Sequence, residues 1–141
     1  MATVAVVLVR GQARVRKDIV DTMKLLRLHR KNTCVLLEDT PALRGMINKV
    51  KDFVAWGEIS EATFQELIKK RGQLYQGRRT DTKEKYQYKA AAIHGQNYKP
   101  YFTLNPPRKG FGRKGIKVAY AAGGALGYRG DKINDLIQRM I

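Results

Sequence analysis

The sequence predicts an α+β fold, and three observations carry the prediction. Short β-branched or apolar runs at residues 3–9, 32–37 and 54–59 have the length and composition of buried strands. Between them lie two segments whose apolar residues recur at helical spacing, residues 17–28 and the stretch that begins at Pro41. This β-α-β-α-β order is followed by a strongly basic, tyrosine-rich second half, which predicts a C-terminal basic α/β extension.

Each element has its own warrant. In the first helix Ile19, Val20, Met23, Leu25 and Leu26 make the apolar face, and Asp18, Asp21, Lys24 and Arg27 are left for water. Thr40 followed by Pro41 is a helix start, an N-cap hydroxyl ahead of a proline in the first turn. Leu43, Met46, Ile47 and Val50 form that helix's stripe. Ser60 opens a third helix, with Ile59 and Phe64 at the spacing of a hydrophobic staple. Gly72 closes it, in the left-handed conformation such a stop usually takes. Residues 132–141 predict a fourth helix on Ile133, Leu136, Ile137 and Met140, with Asp131 as cap. Residues 99–104 and 116–121 predict strands flanking a loop. Residues 72–98 show only weak patterning, as an insertion or a loop ordered on binding would.

Charge narrows the function. The chain has 28 Lys and Arg against 12 Asp and Glu, a net +16, while 43% hydrophobic residues suffice for a real core. A compact body so charged repels itself and calls for a polyanionic partner, nucleic acid first. No acidic residue occurs from Lys85 to Gly130, where nine Lys and Arg stand, and all seven tyrosines lie beyond residue 72. A membrane partner fits poorly, because the longest apolar run, residues 4–9, is far short of the roughly 20 residues of a spanning helix. A lone cysteine, Cys34, inside an apolar stretch reads as a buried small hydrophobe and suits a reducing cytoplasm.

The loop at residues 105–115, Asn-Pro-Pro-Arg-Lys-Gly-Phe-Gly-Arg-Lys-Gly, is the sharpest feature. Arg108, Lys109, Arg113 and Lys114 suit phosphates, and Phe111 between them suits a base or a sugar. The competing reading is a solvated hairpin tip with Phe111 tucked on its own strand. Residues 110–115 also spell G-x-G-x-x-G, but a dinucleotide fingerprint needs a strand before it and a helix after it, and here a double proline precedes. A second glycine-rich turn, residues 123–130, ends in Tyr128 and Arg129 and reads either as a close approach to a sugar-phosphate backbone or as a connector. Arg27, His29, Arg30 and Lys31 gather at the end of the first helix; they join Arg10, Arg14 and Arg16 only if the strand-helix-strand unit folds back. Gly45 inside the second helix costs about 0.8–1 kcal/mol against alanine, so either another backbone or RNA should approach there. His29, His94 and Cys34 form no ligand pattern, Glu38 and Asp39 are expected to pair with arginines or close a turn, and no nucleophile with a base can be named. We therefore expect no enzyme, no metal, no cofactor and no small-molecule substrate.

The stretch Glu38-Asp-Thr-Pro-Ala-Leu-Arg-Gly-Met-Ile-Asn-Lys-Val50, with residues 25–30 and 33–37 before it, closely resembles the signature of the large-subunit ribosomal protein family known as "L thirty". The resemblance covers residues 3–59. Beyond them, residues 54–59, 104–110 and 123–127 resemble the archaeal long form, related to the eukaryotic "L seven" protein. The resemblance implies a ferredoxin-like core with a small antiparallel sheet and helices on one face. It implies a non-catalytic ribosomal component in the cytoplasm, whose partners are large-subunit rRNA and neighbouring ribosomal proteins. It also implies RNA contacts at Arg10, Arg30 and Arg44. A division follows, with a core at residues 1–59 and an extension at residues 60–141 packed on or beside it. The rival reading is a ribosome-assembly or rRNA-processing factor that visits precursors and leaves.

Overall fold

The computed structural model describes residues 3–78, 80–86, 91–93 and 96–141, the side chains of 91–93 excepted. Strand β1 (Thr3–Leu8) is the axis of the molecule. β2 (Thr33–Glu38) and β3 (Val54–Glu58) pair with it on either side, both antiparallel, and the two-residue strands β6 (Phe102–Thr103) and β7 (Gly127–Tyr128) complete a sheet of order β6-β2-β1-β3-β7. The expected antiparallel core is present, but the sheet as a whole is mixed, because β7 runs parallel to β3. A second sheet pairs β4 (Ala91–Ile93) with β5 (Gln96–Tyr98), so the segment 72–98 contains a short antiparallel pair at its end.

Alternation along β1 explains the layers. Val4, Val6 and Leu8 face one way, into a core with Met23, Leu26, Leu28, Ile47 and Val50. These come from α1 (Lys17–Leu25) and α2 (Pro41–Lys49) and the turns that follow them. Ala5, Val7 and Val9 face the other way, into a core with Leu67, Ile68, Leu136, Ile137 and Met140 from α3 (Glu61–Arg71) and α4 (Lys132–Met140). The two helices of the first half share one face, as expected, and the second half covers the other. A central strand buried on both faces must be apolar at every position, as residues 4–9 are.

Several local expectations hold. Thr40 and Ser60 cap α2 and α3 through their side chains, accepting from the amides of Leu43 and Thr63. Four others are corrected. The first helix stops at Leu25, not Leu28, because the chain turns through a left-handed residue at Arg27 (φ 65°). The amide of Leu28 donates to the carbonyl of Met23 and that of Arg27 to Lys24, a Schellman stop with arginine where glycine is usual. Gly72 ends α3 in an extended conformation (φ −64°); a Cβ there would press on the carbonyl of Ile68 and the ring of Tyr98, so space rather than handedness selects glycine. Asp131 holds the N-cap position of α4 without a side-chain cap hydrogen bond. Residues 116–121 form turns and a short 3₁₀ segment (Tyr120–Ala122) instead of a strand, because the amides of Gly124, Ala125 and Leu126 bond back to Ala119 and Val118.

Candidate nucleic-acid interface

The register of β1 fixes which residues share an end of the sheet. Val7 lies opposite Cys34 and Leu8 opposite Val54, so the exit of β1 meets the entries of β2 and β3. The loop carrying Arg10, Arg14 and Arg16 and the turn carrying Arg27, Arg30 and Lys31 therefore emerge side by side. Gln12 clips them together, its Nε2 donating to the carbonyl of Leu28 at 2.7 Å. The fold thus meets the condition that the sequence leaves open, and brings these six cations to one end.

Arg10, Arg14 and Arg16 line a groove of about 370 Å³ with Ile19 and Phe53. The guanidinium of Arg10 lies 5.1 Å from the centre of the Phe53 ring and reaches the carbonyl of Asp52, so the side chain is held in place. Arg16 makes a two-pronged pair with Asp18, at 3.1 and 2.6 Å, and its guanidinium lowers the Asp18 carboxyl to about 2. Arg14 (φ 59°), like Arg27, has left-handed backbone, where an arginine is disfavoured over glycine or asparagine.

β6 runs antiparallel to β2, with Thr103 opposite Thr33, so the chain also leaves β6 at this end. The loop that follows is seated on the end of α4. The amides of Asn105 and Arg108 donate to the carbonyls of Met140 and Arg139, and Arg139 donates back to the carbonyl of Arg108 at 2.9 Å. Arg108, Lys109, Arg113 and Lys114 are all exposed, and Lys109 (φ 65°) is another left-handed cation.

The remaining candidates lie elsewhere or have other tasks. Phe111 is half-buried and packs against the α3–α4 core rather than against a strand of its own. Arg129 is buried; it donates to the carbonyls of Ala125 and Phe111 and lies 4.7 Å from the centre of the Tyr120 ring. Burial lowers its pKa, and its guanidinium is committed to holding the two glycine-rich loops together. Those loops touch backbone to backbone: a Cβ at Gly112 would strike the carbonyl of Gly124, and one at Gly124 the carbonyl of Val118. Gly112 and Gly124 serve this contact, and the turns after Gly115 supply no helix for a dinucleotide fingerprint.

Arg44 stands at the opposite end of the sheet. It pairs with Asp39, which raises the pKa of the arginine and lowers that of the acid, and lies 5.6 Å from the centre of the Trp56 ring. Tyr128 packs tilted against Trp56, ring centres 4.6 Å apart, and donates to the Glu58 carboxylate at 2.7 Å, which raises the phenol's pKa. Gly45 next door is exposed with open space where a Cβ would go, so no backbone among the described residues offsets its cost in the helix. Cys34 is fully buried, which pushes its thiol up to about 12. His94 lies outside the described residues. Among the described residues, no group of His, Cys, Asp and Glu could hold a metal ion, and no helix is long and apolar enough to cross a membrane.

Comparison with known proteins places the chain in a family. Residues 4–54 match the family model described as "Ribosomal protein L30p/L7e". Over its full length the chain is 48% identical to the whole of the "Large ribosomal subunit protein uL30" of Nanoarchaeum equitans. It is 47% identical to that of Methanopyrus kandleri, over 94% of this chain and 99% of the relative. A third relative of the same name, from Methanococcus maripaludis, is 48% identical over 97% of this chain and 98% of its own length. The chain belongs to the L30p/L7e family. The family match ends at β3, whereas the relatives align through α4, so the second face of the sheet is shared with the archaeal proteins.

Three features of the site escape the sequence reading. Gln12 joins the two basic loops, yet a single glutamine in a loop carries no signal. Lys51, exposed in the turn before β3, adds a cation to the same end. Tyr101, beside His29 and Arg30, was legible only as one of several tyrosines in a basic half.

Proposed function

We propose that this chain is a structural constituent of the large ribosomal subunit, and that it grips large-subunit rRNA with the basic end of its sheet. Family membership supports the first part. The second rests on one observation, the clip from Gln12 to Leu28 that holds Arg10, Arg14 and Arg16 beside Arg27, Arg30 and Lys31. Arg108 and Lys109 extend the same end along the C-terminus of α4. Asp18 is already paired with Arg16, so phosphates are the natural counterions for the remaining cations. These side chains read charge and spacing, so the shape of folded RNA sets most of the specificity. Arg44 and the open backbone at Gly45 make a separate, smaller contact on α2. Neighbouring ribosomal proteins complete its surroundings, and we assign it no reaction of its own.

Binding of the purified chain to large-subunit rRNA, followed by filter retention from about 50 to 200 mM salt, tests this reading. Six or more phosphate contacts give a loss of affinity on the order of 10³-fold across that range. A flat response would remove the electrostatic grip.

A further inference from the structure

The exposed edge of the sheet carries a cavity of about 380 Å³ lined by His29, Arg30, Thr33, Gln73, Tyr101 and Thr103. These residues come from four places: the turn after α1, the entry of β2, the segment after α3, and β6 with the residue before it. The volume lies in the range of small-molecule sites. Tyr101 is half-buried against the α1–α2 core, and His29 meets it edge-on at 6.4 Å between ring centres. Thr33, Thr103 and Gln73 bring polar side chains to the same lining. Among the described residues, none of these three side chains, nor that of Arg30, hydrogen-bonds another residue. The lining therefore combines a core-packed aromatic ring, polar side chains with unspent donors and acceptors, and a cation. It opens at the same end of the sheet as the basic loops, since Thr33 lies opposite Thr103 at the entry of β2.

We propose that this cavity receives a single unstacked nucleobase of the rRNA. The inference rests on the reading that the basic end grips RNA, and it specifies what that grip does beyond phosphate neutralisation. Single-stranded loops and bulges present bases that proteins stack on aromatic rings and hydrogen-bond along their edges. Here Tyr101 supplies the ring, Thr33, Gln73 and Thr103 the edge contacts, and Arg30 the phosphate of the captured nucleotide. A base needs both π-contact and hydrogen bonds, and the lining offers both within one cavity.

The test uses the full chain bound to purified large-subunit rRNA. Irradiation at a wavelength absorbed by bases, then digestion and mass spectrometry, is expected to yield one nucleotide adduct on the peptide bearing Tyr101 or on that bearing His29. Tyr101→Leu is expected to lower affinity about tenfold while leaving the salt dependence unchanged, because stacking releases no counterions. Tyr101→Phe keeps the ring and should retain most of the affinity. Gln73→Ala and Thr103→Val, both at exposed positions and safe for the fold, should each weaken binding several-fold. Normal wild-type binding with unchanged Tyr101→Leu, Gln73→Ala and Thr103→Val affinities and no adduct would overturn the base pocket alone. A wild-type chain that fails to bind the rRNA would overturn the underlying reading and this one with it.

Discussion

At the end of the sheet where β1 stops, Arg10, Arg14, Arg16, Arg27, Arg30, Lys31 and Lys51 stand together. At the end where β1 starts, the register sets Thr3 opposite Glu38 and Val4 opposite Glu58, and Asp39 and Asp131 lie close by in the chain. The same three strands thus carry cations at one end and acids at the other. The acidic end has spent its charge within the protein: Asp39 holds Arg44, and Glu58 accepts from Tyr128. The basic end is left mostly uncompensated: among the described residues, Arg16 alone of these cations has a carboxylate partner. A net charge of +16 is therefore not spread evenly, and the difference assigns the main polyanion grip to one end, while the charges of the other serve chiefly internal cohesion and leave only the smaller contact on α2.

The largest effect should come from removing the basic end. Changing Arg14, Arg27, Arg30 and Lys31 together to Ala is expected to lower rRNA affinity by at least 100-fold at about 0.1 M salt and to flatten the log–log salt slope by roughly 3. Glu58→Gln with Asp39→Asn should change affinity less than threefold by the same filter assay. Equal effects at the two ends would break the comparison.

Stability separates the ends from the scaffold between them. Gly124→Ala forces a Cβ against the Val118 carbonyl, and chemical denaturation should show a loss of about 1–3 kcal/mol. Gly45→Ala meets open space and fills a helix interior, so it should raise stability by about 0.8–1 kcal/mol and lower rRNA affinity if the RNA backbone lies over α2. Arg27→Gly relieves a left-handed arginine and should stabilise the free chain by up to about 1 kcal/mol while weakening RNA binding. Opposite signs in the two assays would mark Arg27 as kept for binding at the fold's expense.

The smallest effect concerns acid. Asp18 titrates near 2 beside Arg16, below its ordinary value of 3.8, so its pairing adds stability above about pH 4 and loses it as pH falls towards 2. Both groups are exposed, and the contribution is correspondingly slight. Carboxyl NMR should place the Asp18 midpoint near 2 in the wild type and return it to the ordinary range in Arg16→Ala.

Much of the first half is legible because periodicity and capping agree: Thr40 with Pro41, and Ser60 with its staple, mark helices that form where expected. The failures have physical causes. The stop of α1 is hidden because arginine occupies the position that glycine usually marks. β6 and β7, of two residues each, are too short for alternation to show and exist through pairing with distant strands. Residues 116–121 have strand-like composition, but the close approach of Gly124 to the Val118 carbonyl, which no periodicity reveals, folds them into turns. The charged residues of the site were legible one by one, whereas their grouping depended on sheet register and on one glutamine. Arg129 looked like a phosphate ligand because a glycine-rich turn does not reveal that its arginine is swallowed by its own loops.

The most direct test of the polarity is lysine reactivity, read by acylation and mass spectrometry on the chain free and bound to purified large-subunit rRNA. The account predicts that Lys31, Lys51 and Lys109 become protected while Lys132, exposed beside Asp131 at the far end, stays as reactive as in the free chain. Protection of Lys132 with Lys31 and Lys51 unchanged would contradict it.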